Sequence, residues 1–337
     1  MTVKTSAIAH SNIALIKYWG RSRDHDPNLN IPSNDSVSMT KYGLTDDIHL
    51  QTHTTIAFSD NYQEDTANLD GAVLTGRNMD RILRVVDPLR KHAGVDAKFK
   101  MMSSNDFPTQ AGLASSSSGF AALAIATVHA LGIDFTKEDI SKYARLGSGS
   151  AARSIHGGFV YWNKGNSHET SFAQQICGPD EFDINAVIAI VHEGTKEVTS
   201  DVGHKSAHTS PFDGVRIRKS QEQAKEIRKA ILDHDFAKVG KIAEENCKYM
   251  HAVMMTSTPP LFYWSPETLR LIRSTQEMRR EGLECYFTID AGPNVHYFCR
   301  PEDTLELQKT LEKIEGVRKT ILVKPANDSQ VIKKHLF

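Results

Sequence analysis

Four short stretches carry side chains whose type and spacing could do chemistry. In FPTQAGLASSSSGFAAL (107–123), Gly112 permits close backbone approach, and four serines, Ser115 to Ser118, stand where an apolar helix is about to begin. Free amide N–H groups at a helix start, its dipole and nearby hydroxyls make a cradle for an anion such as a nucleotide's phosphates. A Ser N-cap followed by small residues packed on a neighbouring helix accounts for the same letters. The Walker pattern GxxxxGK[ST] is absent. In ARLGSGSAARS (144–154), Gly147 and Gly149 free the backbone, Ser148 and Ser150 supply donors, and Arg153 offers a two-pronged fork for carboxylate or phosphate. An ordinary surface turn is the alternative. FTIDAGPNV (287–295) runs an apolar strand into Asp290 at a Gly-Pro turn. There a carboxylate can serve as a rigidly held general base or can cap the turn. NIALIKYWG (12–20) ends an early strand on Lys17 and Tyr18. Lys17 could pair with Asp290, or its stem could snorkel along an apolar surface.

These stretches need a frame. Residues 1–60 read as short strands (TSAIAH, NIALIKYW, DSVSMTKYGL, DDIHLQTHTTIAFS), and AKFKMMSSN (97–105) adds another. After the serines, Phe120, Leu123, Ala124, Val128 and Leu131 repeat at helical spacing until Gly132. KEDISKYARLG (137–147) predicts a shorter helix, with acidic residues in its first turn. Strands are expected near 157–163 and 184–194. The second half predicts amphipathic helices at about 213–234, 236–256 and 266–281. Strands CYFTID and VHYFC flank the turn AGPN, and a helix near 302–315 and the strand KTILVK finish the chain. The expectation is an α+β protein of two domains, a β-rich 1–190 and an α+β 191–337.

Composition narrows the function. With 40 basic against 41 acidic side chains and a net charge of −1, no global basic field exists for nucleic acid or an anionic membrane. The apolar run 112–132 is broken by serines and a histidine, so it predicts a buried helix and not a membrane span. The N-terminal residues lack a secretory layout. Four cysteines, Cys177, Cys247, Cys285 and Cys299, are widely spaced without CxxC. That argues against a zinc site or a disulfide framework and for buried thiols in a reducing cytoplasm.

Taken together and in order, GLASSSSGFAAL resembles the phosphate loop of the galactokinase, homoserine kinase and mevalonate kinase superfamily. With NIALIKYWG, RLGSGSAARS, GGFVYW and TIDAGPNV, the chain resembles the mevalonate diphosphate decarboxylase family over roughly residues 7–296. The resemblance implies the superfamily's two-domain fold, an ATP-binding N-terminal part and an active site in the cleft between the parts. It implies phosphorylation of a tertiary 3-hydroxyl by ATP with Mg2+, followed by joint loss of phosphate and CO2. Asp290 matches the aspartate that orients or deprotonates that hydroxyl, Lys17 its electrostatic support, and Arg153 the holder of the substrate carboxylate. Tyr18, Arg21, Ser148, Ser150 and Ser200 fall on the substrate side. Asn105, Gly112, Leu113, Ala114, Ser115 and Ser116 fall on the nucleotide side. The metal ligands are not assigned. A homodimer with a small phosphorylated substrate is implied, with no nucleic-acid or membrane partner.

Departures concern the substrate's phosphate end. Arg21 stands where the family usually has lysine. Glu197 and Asp201 stand where bacterial relatives commonly carry lysine and arginine, and Asp35 where serine is frequent. If all three acids face the substrate, the pocket is less positive than a diphosphate calls for. A phosphomevalonate decarboxylase, acting on mevalonate 5-phosphate, is therefore the alternative. A mevalonate 3-kinase that stops before decarboxylation and a catalytically silent binding protein stand further off, because Lys17, Arg153 and Asp290 are all present.

Overall fold

The computed structural model describes residues 3–45, 48–107, 115–192 and 200–337. From these residues come β1 (Val3–His10), β2 (Asn12–Ile16), β3 (Ser36–Gly43), β4 (Gln51–Ser59), β5 (Thr66–Leu69), β6 (Ala72–Val73), α1 (Gly76–Ala93) and β7 (Lys98–Asn105). Helices α2 (Ser115–Ala130) and α3 (Lys137–Gly147) lead through a 3-10 turn, Gly149–Ser154, into β8 (Phe159–Trp162), β9 (Ala173–Cys177) and β10 (Asn185–Ile190). Then follow α4 (Ser200–Ser206), α5 (Asp213–Leu232), α6 (Phe236–Thr256), α7 (Pro266–Arg280), β11 (Tyr286–Thr288), β12 (Val295–Cys299), α8 (Thr304–Glu312), β13 (Lys319–Pro325) and β14 (Gln330–Ile332).

Two sheets organise them. A six-stranded sheet runs β14-β1-β4-β7-β5-β6, antiparallel except where β5 meets β7. An eight-stranded sheet runs β11-β12-β10-β13-β3-β8-β9, with β2 paired to β3. The second sheet thus draws strands from both sides of residue 190, and β14 returns to pair with β1. Strand β10 shows why its sequence is continuously apolar: Ala186, Ile188 and Ile190 join the core under α5 and α6, while Val187 and Ala189 join the one under α7 and α8. Both faces are covered, so period-two alternation of polar and apolar residues disappears.

The six-stranded sheet packs on α1, α2 and α3. Helix α2 is buried on nearly every side, including Ser117, Ser118, Ala121, Ala122, Ala124 and Ala126. The helix lies inside the fold, as its run of small and apolar residues predicts. Helix α1 does not follow from the sequence reading, since Pro88 sits inside it and charged residues surround it. Ile82, Val85, Val86 and Leu89 nevertheless repeat at helical spacing and bury against the sheet. That helix brings residues to the site.

Candidate active site

A cavity of about 830 Å3 opens between α1, the start of α2, the Gly147–Arg153 turn, the end of β2, α4 and the turn after β11. The four serines divide at its wall. Ser115 and Ser116 line the cavity, whereas Ser117 and Ser118 are fully buried. The Ser118 hydroxyl lies 2.7 Å from that of Thr52 and donates to the Ser115 carbonyl at 3.2 Å. Ser116 Oγ stands 3.2 Å from Ser148 Oγ, which in turn stands 3.3 Å from Ser150 Oγ. A line of hydroxyls therefore links the start of α2 to the arginine turn. Gly149 is required there by space: a Cβ would come within 2.5 Å of the Tyr18 ring.

Arg153 reaches the cavity from that turn with its side chain only 3% exposed. Its Nη2 donates to Asn12 Oδ1 at 3.2 Å, and the guanidinium lies 5.5 Å over the Trp162 ring. Asn12 is oriented for this, since its own amide donates to Ser154 Oγ at 2.7 Å and to the Ser150 carbonyl at 3.1 Å. Arg153 Nε and Nη1 have no hydrogen-bond partner among the described residues. Burial lowers its pKa to about 10, opposed by Asp290 and Tyr18, so the group stays cationic at neutral pH. A desolvated fork with two unused donors is a receptor for a planar anion.

Lys17 and Asp290 meet across 273 residues, Nζ to Oδ1 at 2.6 Å. Both ends are fixed by backbone contacts. The Lys17 amide donates to Asn246 Oδ1 at 2.8 Å, and Asn34 donates to its carbonyl at 3.1 Å. Asn246 donates in turn to Ser220 Oγ and Gln223 Oε1. Before Asp290, the Ile289 amide donates to Cys247 Sγ at 3.1 Å, and His251 Nε2 sits 3.3 Å from its carbonyl. Burial works to raise the Asp290 pKa. The Lys17 ammonium outweighs it, with smaller help from His296 and Lys41, and brings the carboxyl down to about 2.

The far end of the cavity belongs to Tyr18, Arg21 and Asp201. Tyr18 packs edge-on to Trp162 at 4.8 Å and against His204 at 4.2 Å, and its hydroxyl accepts from Arg21 Nε at 3.3 Å. His204 Nδ1 accepts from the Gly20 amide at 3.0 Å. Burial first, then the charges of Arg21, Arg216 and Arg153, hold its imidazole well below its ordinary range. Asp201 bridges two arginines: Arg21 Nη2 donates to one carboxylate oxygen and Arg77 Nη2 to the other. Arg81 lines the same wall, donating to the Gly147 carbonyl at 2.9 Å over the Phe120 ring, and Arg84 donates to Asn28.

Of the residues singled out in the sequence, Lys17, Tyr18, Arg21, Ser115, Ser116, Ser148, Ser150, Arg153, Ser200 and Asp290 line this one cavity. Asn105 is not among the lining residues; at the end of β7 it donates to Asp70 and accepts from Thr52. Gly112, Leu113, Ala114 and Glu197 lie outside the described residues. Asp35 is not among the lining residues: it accepts from the Tyr161 hydroxyl at 2.5 Å, the Lys164 amide at 2.8 Å and Gln221. Only Asp201 of the departing acids is seen in the cavity. Sequence reasoning missed Arg77, Arg81, Asn12 and His204. The first two carried a signal, since arginines at 77, 81 and 84 repeat along one helical face.

Among the described residues no group of three or more His, Cys, Asp or Glu side chains could hold a metal ion. The four cysteines are free and buried. No helix among the described residues is long and apolar enough to cross a membrane.

Comparison with known proteins covers both halves of the chain. Residues 9–173 match the diphosphomevalonate decarboxylase-like N-terminal domain and residues 186–334 the mevalonate 5-diphosphate decarboxylase C-terminal domain. The diphosphomevalonate decarboxylase of Candida albicans is 36% identical over 86% of this chain and 82% of its own length. The phosphomevalonate decarboxylase of Haloferax volcanii is 32% identical over 87% of each. A solved structure of MDDEF in complex with MVAPP, AMPPCP and magnesium superposes with a TM-score of 0.88 at 35% identity, covering 99% of this chain and 100% of that one. With both domain families present and relatives aligned along most of its length, the chain belongs to the diphosphomevalonate decarboxylase family.

Proposed function

We propose that the protein uses ATP to convert mevalonate 5-diphosphate to isopentenyl diphosphate, ADP, phosphate and CO2. One observation carries this reading: the Lys17–Asp290 pair and the donor-rich Arg153 face the same cavity as the start of α2. The nucleotide side is assigned to residues within 1–190 and Asp290 to 191–337, with the cleft between them. The Ser115 and Ser116 hydroxyls are the described donors assigned to the nucleotide's phosphates, and the family resemblance assigns residues 112–114 to the same role. Magnesium bound with the nucleotide's phosphates neutralises charge during the transfer.

The O3–phosphorus bond forms as the bond to ADP breaks, and the hydroxyl proton passes to Asp290. A carboxyl held near 2 is a weak base, so Asp290 orients the hydroxyl and takes the proton late, once phosphorylation has acidified it. The C3–O bond then breaks, its electron pair leaving with phosphate. The carboxylate's C–C bond supplies the pair that closes the alkene as CO2 departs. Arg153 fixes that carboxylate so that the breaking bond aligns with C3.

The test incubates the protein with ATP-Mg and mevalonate 5-diphosphate and measures ADP, phosphate and CO2. One equivalent of each is expected; ADP without CO2 makes it a 3-kinase, and tight binding without products makes it a binding protein. We also propose a cytoplasmic homodimer. Buried free thiols support the compartment, and the family resemblance alone supports the dimer.

A further inference from the structure

We propose that Asp201 sets how far this cleft prefers a substrate with two phosphates over one: its carboxylate is a built-in anion that half-neutralises the arginine pair facing the substrate's charged end. The proposal rests on the decarboxylase reading above and adds to it the basis of the substrate range. Asp201 offers one oxygen to Arg21 and the other to Arg77, the bridging arrangement a phosphate would itself adopt. The other cavity-lining cations are occupied differently. Lys17 is paired with Asp290, Arg81 is turned to the Gly147 carbonyl, and Arg84 is turned to Asn28 with Asp80 and Asp26 nearby. Arg153 donates to Asn12 from the Gly149–Ser154 turn, and Lys205 lines the cavity from α4.

The local sum over Arg21, Arg77 and Asp201 is therefore one positive charge rather than two. The repulsion that a fixed carboxylate exerts scales with the charge of the ligand it faces. A diphosphate carries about one more negative charge than a monophosphate and is penalised more. The background field of the remaining cations cancels from the comparison, because it is the same before and after Asp201 is neutralised. Asp201 thus narrows the preference for the diphosphate and admits mevalonate 5-phosphate as a second substrate.

The experiment measures CO2 release with ATP-Mg for both substrates in wild type, Asp201→Asn and Asp201→Glu. In Asp201→Asn the ratio of kcat/KM for diphosphate over monophosphate should rise about tenfold, the Coulomb difference for one ligand charge at roughly 7 Å in a half-wet site. The rise should shrink in high salt. Asp201→Glu keeps the charge and should hold the wild-type ratio. Arg77→Gln, at a position 62% exposed and tolerant of change, should move the ratio towards the monophosphate. A carboxylate that merely props the arginines would lower both substrates equally in Asp201→Asn. That result, or an unmoved ratio, overturns the proposal. CO2 from the diphosphate alone in wild type likewise overturns the proposal and leaves the decarboxylase reading standing, whereas absence of CO2 from both substrates ends that reading and this proposal with it.

Discussion

Asp290 and Asp201 are both carboxylates on cationic partners, and they are almost equally exposed, at 32% and 31%. Their partners are what differ. Lys17 is 1% exposed and sits on backbone held by Asn246 and Asn34. Arg21 and Arg77 are 17% and 62% exposed, and Arg77 projects from a surface-facing position of α1. Desolvation makes the first pair stiff and strongly coupled; water screens the second and leaves its side chains room to rearrange. Bond-making chemistry needs placement to a fraction of an ångström, while attraction of a charged tail needs only a field. In the function proposed above, each carboxylate takes one of these tasks.

The sharpest way to break that division is Asp290→Asn, which keeps shape and removes the charge. Turnover should fall by about 10^3 to 10^4-fold, the upper range for loss of a positioned acid–base group, with nucleotide affinity nearly unchanged. Single-turnover CO2 release and calorimetric titration with an ATP analogue check the two halves of the expectation. Near-wild-type turnover would mean that Asp290 is only the turn cap its Gly-Pro setting also allows.

Next in size is Arg153→Met. Loss of the carboxylate's fork should cost about 10^3-fold in kcat/KM. Stability should move the other way or not at all, because the wild-type guanidinium is buried with two unbonded nitrogens. Replacing such a charge by an apolar chain is often neutral or stabilising. A melting temperature clearly below wild type would show that Arg153 serves the fold more than the substrate.

Lys17→Met probes the coupling itself, with an expected loss of about a hundredfold at neutral pH. The pH profile is more telling. In wild type the Asp290 carboxyl stays ionised down to about 2, so it does not set the acid limb of kcat/KM. Without Lys17, burial dominates and raises its pKa, so activity should fall at a higher pH as acid is added. The linked stability has the sign of a depressed carboxyl: present above the unfolded value of about 3.9, lost as pH falls towards 2, and largely missing from Lys17→Met at neutral pH. An acid limb that stays put would separate Lys17 from the ionisation of Asp290.

Much of the site could be read in the sequence because its residues sit in local patterns. The serine run, the Gly-Ser-Gly-Ser turn and the Asp-Ala-Gly-Pro turn each announce a break in regular structure beside a functional group. Helix α3 also reads correctly to the residue, 137–147, since Thr136 and Asp139 form a capping box at its start. What could not be read are contacts between distant segments. Asn246 lies 229 residues from the Lys17 amide it accepts from, and Asn12 lies 141 from Arg153. In a linear reading each is one more polar residue on a strand or an amphipathic helix. Helix α1 was hidden by Pro88, and its arginines with it. The fate of Asp35 shows the reverse error: an acid that looked like a substrate contact spends its oxygens on Tyr161, Lys164 and Gln221.

The smallest expected effect tests whether the two ends of the cleft are mechanically joined. Tyr18 stands between them, next to Lys17 in sequence and bonded to Arg21 through its hydroxyl. Gly149 holds the ring's other side, where an added methyl would come within 2.5 Å of Cε1 and 2.8 Å of the hydroxyl oxygen. In Gly149→Ala the ring must tilt away, and its contacts with Trp162 and His204 leave it little room. A shelf displaced by about 1 Å in a positioned site costs up to a hundredfold; with Lys17 and Asp290 independently fixed, about tenfold is expected, mainly in KM. Equal losses in KM and kcat would mean that the tilt reaches the reacting carboxylate, and the stiff end would then depend on the soft one. A loss confined to KM, with the acid limb of the pH profile unchanged, keeps them separate: Tyr18 positions the phosphorylated tail, and the buried pair behind it does not notice.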